Sequence, residues 1–294
     1  MTAHIKILIL NWNGKHLLKP CLDSVSAIDY PNYSVMVIDN GSTDNSVKMV
    51  KENFSEVELL ELENNNGFAG GYNRCFNQLK NDYSEFVLLL NNDTEVDPTI
   101  LSSFIQAKEM YGDNNLYGGK IFYQDTPNLI WYAGGNVNLK RAKISHRGIR
   151  QNDSAEFSKP LQTDYITGCC LFTSMEVINQ LNGFDERFNM YGEDVDLCLR
   201  AKQKGIICYY WPDAKLWHHI SASIGGNYSI SKMLKKELIL KQVPNGEEIC
   251  AIQLLTLIDK VVKTDVNEQI EKYIPIIEEK LAHLDKEDLL KHFV

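Results

Sequence analysis

The chain of 294 residues is 44% hydrophobic, enough for one sizeable α/β domain and a smaller appendage. Its formal charge of -9 at pH 7 argues against a broad cationic surface and so against nucleic acid as a partner. Seven cysteines, an odd number without a C-x-x-C pair, fit a reducing cytoplasm better than a disulfide framework or a zinc site.

The first ten residues are too short and too lightly charged for a signal peptide and run into polar Asn11-Trp12-Asn13-Gly14, so they read as a first strand. Further apolar runs at 34–39, 57–62 and 85–91 each end in Asn, Asp or Gly, the pattern of buried parallel strands. Between them, Leu17, Leu18, Cys21, Leu22 and Val25 share one helical face, and 71–79 and 98–110 predict two more helices. Alternating strands and helices imply a doubly wound sheet, whose ligands gather at the carboxyl ends of the strands. From about 116 to 174 the strands become aromatic and glycine-rich, which predicts a mixed second half of the sheet carrying acceptor loops. A helix is expected from Asp194 to just before Gly205, then two short strands at 206–210 and 214–217. One domain is therefore expected over 1–228, with halves at 1–115 and 116–228. Beyond it, 229–294 reads as a helical appendage with apolar stripes. No window approaches the roughly 20 apolar residues that span a bilayer, so any membrane contact would be peripheral.

Four polar clusters fall where strands should end. Asn11-Trp12-Asn13-Gly14 and Asp39-Asn40-Gly41-Ser42-Thr43-Asp44 offer amides and a carboxylate for base and ribose hydroxyls, although turn chemistry and helix capping by Asp44 would use the same residues. Asn64 to Asn73, with Asn66 and Gly67 at its turn, is a glycine-rich opening to a helix whose backbone N–H groups can approach phosphate; it is neither a P-loop nor G-x-G-x-x-G. Leu90-Asn91-Asn92-Asp93-Thr94 sets oxygen ligands after the most hydrophobic strand. Mg²⁺ or Mn²⁺ shares such carboxylates with substrate phosphates, which makes Asp93 the candidate metal ligand; helix capping is its alternative, a task open equally to Asp97.

Taken in order with Gly192-Glu193-Asp194-Val195-Asp196-Leu197-Cys198-Leu199-Arg200, these clusters resemble family 2 glycosyltransferases of the GT-A fold, most closely the bacterial rhamnosyltransferase-like branch of surface-polysaccharide synthesis. The resemblance covers roughly residues 4 to 225. It implies a GT-A type nucleotide-diphospho-sugar transferase, a Rossmann-like mixed sheet flanked by helices, that inverts the sugar moved from a dTDP-, UDP- or GDP-linked donor to a hydroxyl of a glycan or lipid-linked acceptor. By the same resemblance Asn11, Asn13, Asp39, Asn66, Gly67, Asn73 and Asn92 line the nucleotide, and Asp93 holds the Mn²⁺ or Mg²⁺ that bridges the diphosphate. Asp194 is the general base, Gly168 and Glu193 stand on the acceptor side, and one histidine of the His218-His219 pair completes the metal shell or contacts diphosphate; His219 is the preferred one, with a purely structural histidine as the alternative. The resemblance likewise makes 1–115 the nucleotide-binding half of the domain and 116–228 its acceptor-binding half.

Asn91 stands where the family's Asp-x-Asp metal motif has its first acid, which keeps open a second reading, a catalytically weak nucleotide-sugar binding or scaffolding protein. A sugar-1-phosphate nucleotidyltransferase would carry a glycine-rich loop with a basic residue near the amino terminus, and 11–15 does not resemble one. The helical appendage should pack on the catalytic domain, then form a homodimer, then meet a partner, in that order of expectation; its Lys232, Lys235, Lys236 and Lys241 are a candidate contact with anionic lipid.

Overall fold

The computed structural model describes residues 2–81, 84–141, 143–188 and 191–219, so the appendage expected over 229–294 lies outside the described residues. In chain order the elements are β1 (Ile5–Asn11), α1 (Lys15–Ser26), β2 (Tyr33–Asp39), α2 (Ser46–Asn53), β3 (Glu58–Glu61), α3 (Gly67–Gln78), β4 (Phe86–Asn91), β5 (Thr94–Val96), α4 (Ile100–Tyr111), β6 (Leu116–Tyr123) and β7 (Thr126–Tyr132). They continue with β8 (Gly135–Asn138), β9 (Lys143–His146), β10 (Gln151–Asn152), β11 (Leu161–Thr163), β12 (Cys170–Ser174), α5 (Met175–Leu181), α6 (Glu193–Gln203) and β13 (Cys208–His218).

β1 and β4 are buried almost end to end because helices cover both faces of a parallel sheet, and this is why their sequences run apolar without alternation. β3, β2, β1 and β4 are parallel neighbours in that order. α1 turns Leu17, Leu18, Cys21, Leu22 and Val25 inward, the single stripe expected of a surface helix. Pairing register positions the chemistry: Asn11 lies opposite Asp39, and Leu10 opposite Asn91, so three polar strand ends stand side by side at one edge of the sheet.

β12 runs antiparallel beside β4, with Cys170 opposite Leu90, and so carries Gly168 and Cys169 to the same edge. β13 pairs parallel with β6 and antiparallel with β5, where His218 faces Thr94. The two short strands expected over 206–217 are one strand, interrupted in its pairing with β6 by a register shift between Trp211 and Lys215. Pro212 falls in that interval, where a residue without an N–H costs the ladder nothing. The helix expected from Gly71 begins four residues earlier, at Gly67, since the glycine-rich turn is itself the first helical turn. β8 and β9 form a separate two-stranded hairpin. Gly135 at its base sits so close to Tyr165 that a Cβ there would lie 2.1 Å from the ring, so only glycine allows this contact.

Candidate active site

The polar strand ends form a continuous hydrogen-bonded row. Fully buried Asn11 donates through Nδ2 to Asp39 Oδ1 (3.2 Å) and to Ser42 Oγ (3.3 Å), while its Oδ1 accepts from Asn92 Nδ2 at 2.7 Å. The backbone N–H of Ser42 donates to Asp39 Oδ2 at 2.9 Å. Asp39 therefore has one protein donor on each oxygen, and a carboxylate has about four lone-pair positions, so acceptor capacity is left for a ligand. Asn13 adopts a left-handed backbone (φ 49°) and accepts through Oδ1 from the Thr43 N–H at 2.7 Å, tying the two loops together. Asp44 accepts from the backbone N–H groups of Lys15 (2.8 Å) and Ser46 (3.0 Å), the turn-holding alternative recognised in the sequence.

Asp93 is buried, and Asp97 takes the helix-entry task in its stead: Asp97 Oδ1 accepts from the Thr99 N–H at 2.9 Å as α4 begins. One Asp93 oxygen, Oδ1, is enclosed with no hydrogen-bond partner. His218 Nε2 lies 3.1 Å from it but out of line for a hydrogen bond, and His218 Nδ1 is likewise enclosed and unpartnered. Buried polar atoms are rarely left unpaired. Two ligand atoms on one Mg²⁺ or Mn²⁺, each about 2.1 Å from the ion and at right angles, stand about 3 Å apart. The pair thus fits a divalent cation. Among the described residues no third His, Cys, Asp or Glu joins them. That suits an ion which takes its remaining ligands from phosphate and water.

The histidine assignment differs from the sequence expectation. His219 donates its backbone N–H to the Asp93 carbonyl at 2.8 Å, but its ring points the other way, with Nε2 3.0 Å from Glu95 Oε1. Neighbours on a strand face opposite sides, and it is His218 that faces Asp93. Asn73 also departs from expectation. Its Nδ2 donates to the Phe184 carbonyl (2.9 Å) and Glu186 Oε1 (3.0 Å), and its Oδ1 accepts from the Phe184 N–H (2.9 Å), so both amide protons and one oxygen lone pair fasten the loop at 184–186. The N–H groups of Asn66 and Gly67, expected as phosphate donors, are bonded to Asn40 Oδ1 and Asn65 Oδ1, each at 2.9 Å.

In the segment expected to face the acceptor, Gly192 (φ 97°) opens α6, whose first turn holds Glu193 and Asp194. Asp194 Oδ2 accepts from the Gly168 N–H at 2.9 Å and Oδ1 from the Val195 N–H at 2.8 Å. Burial raises its pKa above the ordinary aspartate value, against the lowering effect of those hydrogen bonds and of the nearby His146. Glu193 is buried with Oε2 unpartnered, and burial raises its pKa too. The buried Cys169 thiol lies within electrostatic reach of both Asp93 and Asp194.

His146 was not anticipated. Its Nδ1 donates to the Trp131 carbonyl at 3.1 Å, and burial lowers its pKa against that bond and the pull of Asp194. The neutral ring then presents Nε2 as an acceptor. Trp131 stands edge-on between two imidazoles, with centroids 4.5 Å from His146 and 4.6 Å from His218. Tyr132 and Trp211 are buried in the core, whereas Tyr191 and Trp12 are exposed. A separate cavity of 610 Å³, lined by Gly134, Arg147, Thr163, Asp164, Lys202 and Cys208 among others, includes none of the carboxylates of the row.

A family model described as glycosyl transferase family 2 matches residues 6–181, the stretch that carries β1 through α5. The chain belongs to glycosyl transferase family 2. It is a nucleotide-sugar-dependent glycosyltransferase of the GT-A fold. A second model, the N-terminal domain of galactosyltransferase, matches 149–232, and a third, the helical domain of a probable ATP-dependent RNA helicase, matches 249–294. This family 2 glycosyltransferase is 26% identical over 247 residues to N-acetylglucosaminyl-diphospho-decaprenol L-rhamnosyltransferase of Mycobacterium tuberculosis, covering 76% of the chain and 79% of the relative. It is 23% identical to rhamnosyltransferase WbbL of Escherichia coli K12, covering 73% and 83%. Among solved structures, GalNAc-T7 with UDP, GalNAc and Mn²⁺ superposes with a TM-score of 0.61 at 14% identity, over 74% of this chain and 44% of that one. TarS 1-349 from S. aureus superposes with a TM-score of 0.51 at 16% identity, over 71% and 60%.

Proposed function

We propose that this glycosyltransferase transfers a rhamnosyl or related hexosyl group, with inversion, from a nucleoside diphosphate donor to a hydroxyl of a lipid-diphosphate-linked sugar. The observation that carries the reading is the hydrogen-bonded row Asp39–Asn11–Asn92 at the strand ends, followed in the chain by buried Asp93, whose unpartnered Oδ1 lies 3.1 Å from His218 Nε2. The sugar and acceptor classes are taken from the relatives, whose names specify rhamnosyl transfer and, in one case, a diphospho-decaprenol acceptor. Asp39 and Asn13 would receive the nucleoside, with exposed Trp12 available to stack on the base. Asp93 and His218 would hold a divalent cation, which, when bound, neutralises charge on the leaving diphosphate.

Asp194 has the features of a general base. It is fixed by two backbone N–H groups on a helix terminus, and burial makes its carboxylate a stronger proton acceptor than a solvated one. It would take the proton of the attacking hydroxyl, while the Nε2 of His146 accepts a neighbouring hydroxyl and sets the sugar's orientation. The acceptor's lipid part would keep the enzyme at the cytoplasmic membrane surface; among the described residues no helix is long and apolar enough to cross a bilayer.

The test is thermal stabilisation by a panel of nucleotide sugars with Mn²⁺, followed by transfer to a lipid-diphosphate sugar. A ligand that binds only the folded state must raise its melting temperature. Absence of any stabilising donor would overturn the assignment. Asn91, in place of an acid at the metal motif, motivates the second reading, a donor-binding protein without turnover, which predicts stabilisation but no transfer.

A further inference from the structure

The hairpin of β8 and β9 carries no role in the site beyond His146, yet its surface stands out among the described residues. Residues 126–152 contain five Lys or Arg and no Asp or Glu, in a chain whose net charge is -9. Lys140, Arg141 and Lys143 are exposed at the hairpin's distal end, with no ion pair among the described residues. Large aliphatic side chains are exposed among them: Leu139 at 72% and Ile144 at 50%, with Ile149 at 44% in the turn that follows. Exposed aliphatics set between unpaired cations bring no benefit to a hairpin facing water, and such patches mark interaction surfaces.

We infer that this hairpin is a membrane-docking element for an anionic lipid surface. Charge complementarity selects the partner: cations at the level of lipid phosphates are attracted, while aliphatic side chains between them enter the acyl boundary. A polyanion such as a glycan or nucleic acid would use the cations but leave Leu139 and Ile144 in water. Position gives the element its purpose. Ile144 and His146 lie two residues apart on β9 and so share a face, and His146 is electrostatically linked to Asp194. The apolar tip therefore extends outward from the acceptor wall and would bring it to the surface where a lipid-linked acceptor lies. That purpose rests on the acceptor class proposed above, whereas the docking itself is measured without turnover, so the two fail independently.

The experiment is co-sedimentation of the full chain with vesicles of phosphatidylcholine alone or with about one third phosphatidylglycerol. Binding is expected only to the anionic vesicles, weakened by salt. Replacing Lys140, Arg141 and Lys143 together by Ser should lower partitioning about 100-fold. Leu139→Gln with Ile144→Gln should lower it at least about tenfold at unchanged charge. Both variants should melt with the parent protein, since every altered side chain is exposed. Undiminished binding by the charge variant would overturn the inference. Full binding by the aliphatic variant would overturn it as well, by showing a surface for polyanions in general.

Discussion

Asp194→Asn separates chemistry from architecture. The carboxylate accepts two N–H groups, from Gly168 at 2.9 Å and Val195 at 2.8 Å. An amide has a single acceptor oxygen, so one of these donors loses its partner, at a cost of about 1–3 kcal/mol. Removing a buried charge offsets part of that, because burial is the largest influence on this group and it disfavours the ionised form. The net loss is small against the roughly 5–15 kcal/mol that holds a domain folded, so the variant should fold and bind donor with Mn²⁺ as before. Turnover should fall about 10²–10⁴-fold, the usual worth of a positioned base. Calorimetry of donor binding beside initial transfer rates reads both quantities.

The pH dependence follows from the direction of the shift. Since the folded pKa is raised, the ionised base is lost at higher pH than for a solvated aspartate, near 3.9, and the acidic limb of kcat/KM should lie above that value. For stability, a raised pKa contributes most below the unfolded value and loses that contribution as pH rises through the folded one. The stability gap between parent and Asp194→Asn should therefore narrow from acid toward neutral pH. A variant with at least a third of parental turnover and unchanged donor affinity would refute the assignment of Asp194.

His218→Ala should weaken Mn²⁺-dependent donor binding at least about tenfold, whereas His219→Ala, which removes only a partly exposed pair with Glu95, should change stability by no more than about 1 kcal/mol and leave metal dependence intact; Mn²⁺ titrations of donor binding compare the two. At Gly14 an added Cβ would lie 2.3 Å from Asn92 Nδ2 and 2.8 Å from Asn11 Oδ1, so Gly14→Ala should break the Asn11–Asn92 bond and cost donor affinity, seen as a reduced thermal shift on adding nucleotide sugar. Asn73→Ala removes three hydrogen bonds and should cost about 2–4 kcal/mol by denaturant unfolding, while donor affinity per folded molecule stays at the parental value.

What the sequence made readable and what it did not divide along physical lines. Asp39, Asn11 and Asp93 were visible because parallel strands must be apolar throughout and their polar ends must lie at the ligand edge; register then places Asn11 against Asp39 without further information. Asn73 was misjudged because its partners, Phe184 and Glu186, are more than a hundred residues away, and a helix position next to a glycine-rich turn looks the same whether it faces a phosphate or a loop. His146 lacked any local motif. Its significance comes from the ring environment of Trp131, Tyr132 and Tyr165, assembled from different segments.

The histidine pair is the more instructive case. Period-two alternation says that His218 and His219 face opposite sides, but the phase of that alternation at the end of β13 is set by the irregularity between Trp211 and Lys215. A register slip of one residue exchanges the two faces, so a reading that ends one strand near Tyr210 and starts another at Ala214 has no means of carrying phase across Pro212. Pairing with β5, which sets His218 opposite Thr94, displays the resulting phase that the sequence does not reveal. It follows that removing the irregularity would act at the metal corner from a distance. Deleting one residue between Trp211 and Lys215 should turn the His219 ring toward Asp93 and the His218 ring away, and a His219→Ala change, harmless in the parent, should then abolish Mn²⁺ dependence. If His218 still governs metal response in that deletion, β5 alone holds the phase and the irregularity has no part in setting it.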